Sequence, residues 1–217
     1  MEELNAMSFI NKLNNIKAKT DRLDDNNEYV FSSFNKLNNL IIGESTIALL
    51  AGTAVPVAGP NSSEKRKFNS LFYYFSLTQI YSIFDLVNEK LGLPNDPSFR
   101  QIVKNIKENK TSIDVLFEKL KENCISFIDT ISQFETNENY EYGDDKLLDF
   151  RLDFEAFKNL KNVKIVFANS SRTKEALKII FDKLSLDVKV VPLYIFKHGV
   201  TNDEIATLIV KEIEGKN

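Results

Sequence analysis

Basic side chains are the most concentrated group in this sequence that could bind another molecule. Several are spaced along a stretch whose apolar residues repeat at helical intervals, and Arg172, Lys174 and Lys178 follow shortly afterwards. If the two segments were neighbouring antiparallel helices, the charges would share one edge, which would suit the phosphates of RNA. The alternative is a solvated helix face that only keeps the protein soluble. The predicted nucleic-acid-binding residues are Arg151, Lys158, Lys161, Lys164, Asn169, Arg172 and Lys174.

Residues that commonly do catalysis or hold metals are scarce. His198 is the single histidine, and its spacing indicates no partner acid or nucleophile. Cys124 is the single cysteine and falls on an apolar stripe, which predicts a buried structural thiol and excludes an intrachain disulfide. The acidic stretch 135–145 lacks the pattern of a calcium-binding loop. We therefore predict no catalytic residue, no metal site and no cofactor, although abundant carboxylates leave a hydrolase open.

The charge balance and the start of the chain bear on location and partners. The 217 residues include 28 basic and 31 acidic ones, so a net charge of −3 indicates neither DNA binding nor membrane docking. The chain starts with acidic residues where a signal peptide would be basic, which predicts a cytoplasmic protein. Residues 40–59 have the length of a membrane span, but Glu44 and Pro56 argue against one. We interpret them as the buried end of a helix that runs into a loop.

Helical periodicity dominates the apolar pattern. The clearest stripes cover residues 73–91 and 113–134, where apolar positions alternate in steps of four and three. Asp96-Pro97 and Thr111 with Asp114 resemble helix starts, and Thr201 with Glu204 predicts a capping box. The predicted helices cover residues 4–18, 29–50, 73–91, a short segment after Pro97, 113–134, 147–167, 172–184 and 202–213.

These stripes predict a mostly α-helical bundle in one domain over residues 1–217, with a candidate boundary in the acidic loop 135–145. An alternative concerns residues 163–168 and 188–191, whose β-branched composition would suit two parallel strands joined by a helix. The C-terminal part would then be a small α/β unit. Asn169, Ser170 and Ser171 would follow the first strand, where α/β proteins bind ligands. The unbroken stripe from Leu147 to Phe167 favours the helix.

The segment from Lys161 to Ser170 resembles the motif of HEPN helical domains, including those of abortive-infection proteins. In that family a long helix ends in a motif written Arg-Asn-Lys-x-x-Ala-His. Here Lys164 occupies the arginine position, Asn169 the histidine position, and Ala168 precedes it. The layout is similar over residues 68–213. Because asparagine cannot shuttle a proton, the resemblance implies a relative that does not cleave RNA.

The sequence therefore favours binding over catalysis. We predict a non-catalytic binding or regulatory protein, HEPN-like, that binds RNA or a protein in phage defence or in a toxin–antitoxin system. Its surplus apolar surface predicts a dimer or a protein partner, contacted through the helix at 73–91 or the helix at 147–167. The alternative is an enzyme or small-molecule binder with a C-terminal α/β unit.

Overall fold

A computed structural model describes residues 31–32, 41–52, 78–112, 114–135, 149–158, 160–193, 195 and 199–215. These residues form a parallel sheet of four strands, an antiparallel sheet of three strands, and helices. The elements in chain order are β1 (Phe31–Ser32), β2 (Ala48–Gly52), α1 (Thr78–Lys90), α2 (Phe99–Lys107), α3 (Asp114–Glu122), β3 (Ile125–Asp129), β4 (Ile131–Glu135), β5 (Asp149–Leu152), α4 (Phe154–Phe157), β6 (Ile165–Ala168), α5 (Ser171–Leu184), β7 (Lys189–Pro192) and α6 (Asn202–Glu214).

Strand β2 is central to the parallel sheet. It pairs with β3 on one side and with β6 on the other, and β7 lies beyond β6, so the strand order is β3-β2-β6-β7. All five of its residues are buried. Side chains alternate between the two faces of a strand. Ala48 and Leu50 therefore join one hydrophobic cluster, whereas Leu49 and Ala51 join the other.

Helices cover both faces of this sheet. On one face, the cluster that contains Leu50 draws on α1, α2, α3 and α6. On the other face, α5 contributes Ala176, Leu177 and Ile180 to the cluster that contains Leu49. A parallel sheet needs apolar cover on both sides because its crossover connections place helices there. The described residues thus form a three-layer α/β fold.

Aromatic side chains join the first helical layer to the sheet. Phe84 of α1 stacks on Phe127 of β3 with ring centroids 4.9 Å apart, and it meets Phe99 of α2 edge-on at 5.3 Å. Asp85, the next residue of α1, accepts hydrogen bonds from the Phe99 and Arg100 backbone amides at 2.8 and 3.3 Å. Burial raises the pKa of the Asp85 carboxyl, although these two amides and Arg100 act in the opposite direction. Helices α1 and α2 are therefore joined by both apolar and polar contacts.

The antiparallel sheet continues directly from the parallel one. Thr130 separates β3 from β4, and β4 pairs with β1 and β5. The Thr130 amide and hydroxyl both donate to the Gly52 carbonyl, at 3.0 and 3.1 Å. Its own carbonyl accepts from the Asp153 amide at 3.0 Å. One buried threonine thus ties the end of β2 to the start of β4 and to the end of β5.

The predicted helical bundle is wrong. The stripe at 113–134 divides into α3, β3 and β4, and the stripe at 147–167 contains β5, the single-turn helix α4 and β6. The predicted helix at 29–50 contains β1 and β2. Strands buried on both faces are apolar at nearly every position, so residues at steps of three and four can be picked from them as easily as from a helix.

Other predicted elements are confirmed. Strands β6 and β7 are parallel and joined by α5, as the alternative proposed, but their sheet also includes β2 and β3. Helix α6 starts with the predicted capping box of Thr201 and Glu204.

The predicted cap at Asp96 is wrong, because Ser98 caps α2. Within the described residues, no helix is both long and apolar enough to cross a membrane.

The predicted dimer was based on two apolar helices. The described part of the first, α1, packs against α6 of the same chain and buries Ile80, Ile83 and Val87 in the core. The second, at 147–167, does not exist as one helix. Self-association stays a prediction, but neither of these two surfaces now supports it. The candidate boundary at 135–145 falls almost wholly outside the described residues.

Gly43 provides a first test of the packing around β2. A Cβ atom at this position would lie 2.0 Å from the Lys121 carbonyl oxygen at the end of α3. We expect Gly43→Ala to lower the free energy of unfolding by about 3 kcal/mol, because neither backbone segment can move aside cheaply. Gly92→Ala is the control, since a Cβ there meets nothing within 4 Å and costs only the strain of φ +65°, about 1 kcal/mol. Urea denaturation measures both, and equal costs would contradict the close contact.

Asn88 provides a second test. It lies on α1, is 1% exposed, and neither polar atom of its side chain has a hydrogen-bond partner among the described residues. Burying an unbonded amide costs about 1–3 kcal/mol, so we expect Asn88→Leu to stabilise the fold by about 1–2 kcal/mol. Asn105→Leu, at a half-exposed position of α2, should change stability by less than about 0.5 kcal/mol. A lower melting temperature for Asn88→Leu would show that the amide is needed in the core.

Candidate functional site

The order of the parallel strands reverses direction once. From β2 the chain adds β3 on one side, and it later returns to add β6 and β7 on the other. The described helices that follow β2 and β6 accordingly pack on opposite faces of the sheet, α1 with the cluster of Leu50 and α5 with the cluster of Leu49. In open α/β sheets, such a reversal leaves a crevice between the two carboxyl ends, and ligands bind there. The candidate site is this carboxyl edge, between Gly52 and Asn169.

Asn169 directly follows β6 at this edge and is half-buried. Its backbone amide donates to the Ala51 carbonyl at 3.1 Å, which continues the pairing of β6 with β2. Its side-chain Oδ1 accepts from the Ile195 amide at 3.3 Å. The side chain is therefore held between the end of the central strand and the segment that follows β7.

Asp129 and Thr130 occupy the same edge on the other side of β2. Asp129 is the last residue of β3 and pairs in register with Gly52. Both Asp129 and Thr130 are fully buried. Because Thr130 holds the Gly52 carbonyl, the end of β2 is fixed from the β3 side as well. The edge thus brings a carboxylate, a hydroxyl and an amide to the ends of three adjacent strands.

Helix α5 begins immediately after β6. Ser170 caps it, since the Ser170 hydroxyl accepts from the Thr173 amide at 3.1 Å and lies 2.9 Å from the Thr173 hydroxyl. The first turn contains no acidic residue. The amino end of a helix carries a partial positive charge. The β6 side of this edge therefore carries the partial positive charge of the start of α5, whereas β3 ends in the acidic residue Asp129.

The predicted basic residues do not share one helix face. Lys158 directly follows α4 and forms an ion pair with Glu155. Lys161 and Lys164 are exposed before β6, and the Lys164 amide donates to the Ile47 carbonyl at the amino edge of the sheet. Arg172 and Lys174 lie in the first turn of α5, beyond the opposite end of β6. Arg151 belongs to β5 of the antiparallel sheet.

The two positions of the HEPN-like motif, Lys164 and Asn169, also lie at opposite edges of the parallel sheet. Lys164 and Asn169 flank β6, and five residues of extended chain span roughly 16 Å. A helix, which rises about 1.5 Å per residue, would have placed them at roughly half that distance. The predicted HEPN-like, non-catalytic RNA or protein binder in phage defence or a toxin–antitoxin system is therefore wrong, since it depended on a helical bundle that the parallel sheet replaces.

Gly52, Asp129 and Thr130 are not among the residues that the sequence patterns predicted for a site. The signal for them is a short apolar run that ends in small or polar residues: Ala48–Gly52 ends in glycine, and Ile125–Asp129 ends in Asp-Thr. Such runs are typical of buried parallel strands. His198, the single histidine, lies outside the described residues.

The described residues form no metal-binding cluster at this edge, and the cysteine lies at the opposite one. Within the ranges that the structure describes, no three His, Cys, Asp or Glu side chains form a cluster that could hold a metal ion. Cys124 precedes β3 at the opposite, amino edge, where its carbonyl accepts from the Ile47 and Ala48 amides. Burial raises the pKa of its thiol to about 11. Cys124 is thus mostly buried and protonated at neutral pH.

Comparisons with known proteins assign no family. No family model matches the sequence, and no curated protein matches it. Among solved structures, the chain is similar to the solution NMR structure of a candidate uracil DNA glycosylase from Methanosarcina acetivorans, with 16% identity and a TM-score of 0.40. The match covers 80% of this chain and 94% of the other. A likeness of this size shows neither a shared fold nor a shared activity.

Alkylation tests whether the Cys124 thiol is buried and has a raised pKa. Its pKa rises from 9.0 to about 11, so at pH 8 the thiolate fraction falls about a hundredfold. We expect iodoacetamide to react about a hundredfold more slowly with the folded protein than with the protein in urea. The folded rate should rise with pH until about pH 11. The folded protein keeps this proton at pH values where the unfolded chain loses it, so stability should fall between pH 9 and 11. Equal folded and unfolded rates would contradict the burial.

Proposed function

We propose that this protein binds a small polar molecule at the carboxyl edge of its parallel sheet. The observation that supports the proposal best is the reversal of strand order between β2 and β6, because open α/β sheets generally bind ligands at the carboxyl edge where such a reversal occurs. This reading corresponds to the alternative of a small-molecule binder with an α/β unit. It needs no helical bundle and no basic edge.

The residues at this edge have chemistry that suits such a role. Asn169 is half-buried and therefore within reach of a ligand, and its orientation is fixed by the Ile195 amide. Thr130 holds the end of β2 through its bonds to the Gly52 carbonyl, and the buried Asp129 pairs in register with Gly52. Ligand sites in proteins combine a largely preformed concave surface with a few fixed polar groups. The opposite, amino edge offers the exposed lysines Lys161 and Lys164, but open α/β sheets bind ligands outside the carboxyl ends of their strands.

A fragment screen by NMR tests the proposal. Small polar fragments are added to the ¹⁵N-labelled full chain, and the shifted backbone amides are mapped. We expect the hits to shift amides at Gly52, Asp129, Asn169 and Ser170, while Ile47 and Lys164 at the amino edge stay unchanged. Hits that map elsewhere, or a library without hits, would contradict the proposal.

Two asparagine variants show whether the fragments use the proposed site. Asn169→Ala should weaken fragment binding about five- to twentyfold, since it removes one hydrogen-bonding group worth about 1–2 kcal/mol. Asn162→Ala is the matched control: its Nδ2 donates to the Glu44 carbonyl at 2.9 Å, so each variant loses one bond between a side chain and the backbone. Because Asn162 lies at the amino edge, its removal should leave fragment affinity unchanged. Equal effects of the two variants would argue against the site.

A further inference from the structure

We infer that Asn169 selects ligands by their hydrogen-bond polarity and recognises a group that accepts hydrogen bonds. The inference rests on the proposed site and adds the chemical class of its ligand. Its basis is the hydrogen bond from the Ile195 amide to Oδ1 of Asn169, at 3.3 Å. A backbone N–H can only donate, so the atom that faces it must be the amide oxygen and not the nitrogen. This contact fixes the orientation of the carboxamide, with Oδ1 toward Ile195 and Nδ2 away from it.

The nitrogen of Asn169 is consequently the end that remains for a ligand. Oxygen and nitrogen branch from the same carbon, so an oxygen held toward the segment after β7 directs the nitrogen away from that segment. Nδ2 makes no hydrogen bond to any other residue that the structure describes. Asn169 is half-buried, which leaves this group accessible. It therefore offers two N–H donors and no acceptor.

The electrostatics around Asn169 favour the same polarity. Helix α5 starts two residues later, with Arg172 and Lys174 in its first turn. The acidic Asp129 ends β3, which is separated from β6 by the whole of β2, or roughly 10 Å. A ligand oxygen beside Asn169 thus lies next to the partial positive charge at the start of α5 and two strands away from Asp129. Phosphate, carboxylate and carbonyl oxygens all share this acceptor chemistry.

Asn169→Asp is the sharpest test of this inference. The aspartate has nearly the same shape, and its carboxylate can still accept from the Ile195 amide, so the fold should be preserved. The two donors, however, become acceptors. Melting curves of the variant should therefore match those of the natural protein. Ser171→Asp is the control, because it adds the same charge at an exposed position next to the site and leaves Asn169 intact.

The probes are inorganic phosphate and acetate as acceptors, and methylammonium and guanidinium as donors. Binding is followed through the backbone amides of Asn169 and Ser170 in NMR titrations. We expect the natural protein to bind the acceptors in preference to the donors. Asn169→Asp should weaken acceptor binding about ten- to a hundredfold, whereas Ser171→Asp should weaken it only about two- to threefold, through charge alone.

The outcomes separate the inference from the proposed function. A natural protein that prefers the donors, or binds neither acceptor, overturns the inference. So does equal weakening by Asn169→Asp and Ser171→Asp, because charge alone would then account for the loss. In each of these cases, fragments that still map to the carboxyl edge leave the proposed function standing. Failure of the proposed function is recognised separately, by a screen in which no fragment reaches that edge.

Discussion

The fold depends on a central strand that has a partner on both sides. Every residue of β2 is buried, and water cannot satisfy its backbone groups, so β3 and β6 must do so. Those two strands come from distant parts of the chain. Parallel strands require crossover connections. The crossover from β2 to β3 supplies α1, α2 and α3 on one face, and the crossover from β6 to β7 supplies α5 on the other. The reversal of strand order follows from the double pairing of β2, because β3 is added on one side of it and β6 on the other.

The local signals in the sequence were sufficient for the helices after β6. Ser170 and Thr201 are strong capping residues, and the apolar positions of α5 and α6 keep a regular helical period beside a polar face. The helical period failed where both faces of a strand are buried. In β3, Ile125, Phe127 and Ile128 are all apolar, so the alternation that would reveal a strand is absent. Only the pairing partners distinguish such a run from a helix, and these are far away in sequence.

The candidate site could be predicted even less, because no local motif encodes it. Asp129 and Asn169 each follow an ordinary-looking apolar run, and only the strand order brings them to the same edge. Asn169 was singled out for its position in a helical motif. In the structure its importance has a different origin, namely its place at the end of β6 and its bond to the segment after β7. The polar side chain of Asn169 made it a candidate site residue in the sequence, but the helix that was expected to precede it is in fact the strand β6.

The two outer strands of the parallel sheet differ in how they face their surroundings. Strand β3 is wholly buried, but β7, the outer strand on the other side within the described residues, is half-exposed. It is only four residues long and ends in Pro192, which has no amide hydrogen to donate, and its Lys189 is tied to Glu212 of α6 at 2.6 Å. Short length, proline and lysine all discourage an additional strand from pairing with an open edge. The sheet is thereby protected against edge-to-edge aggregation on the side where it would be most vulnerable.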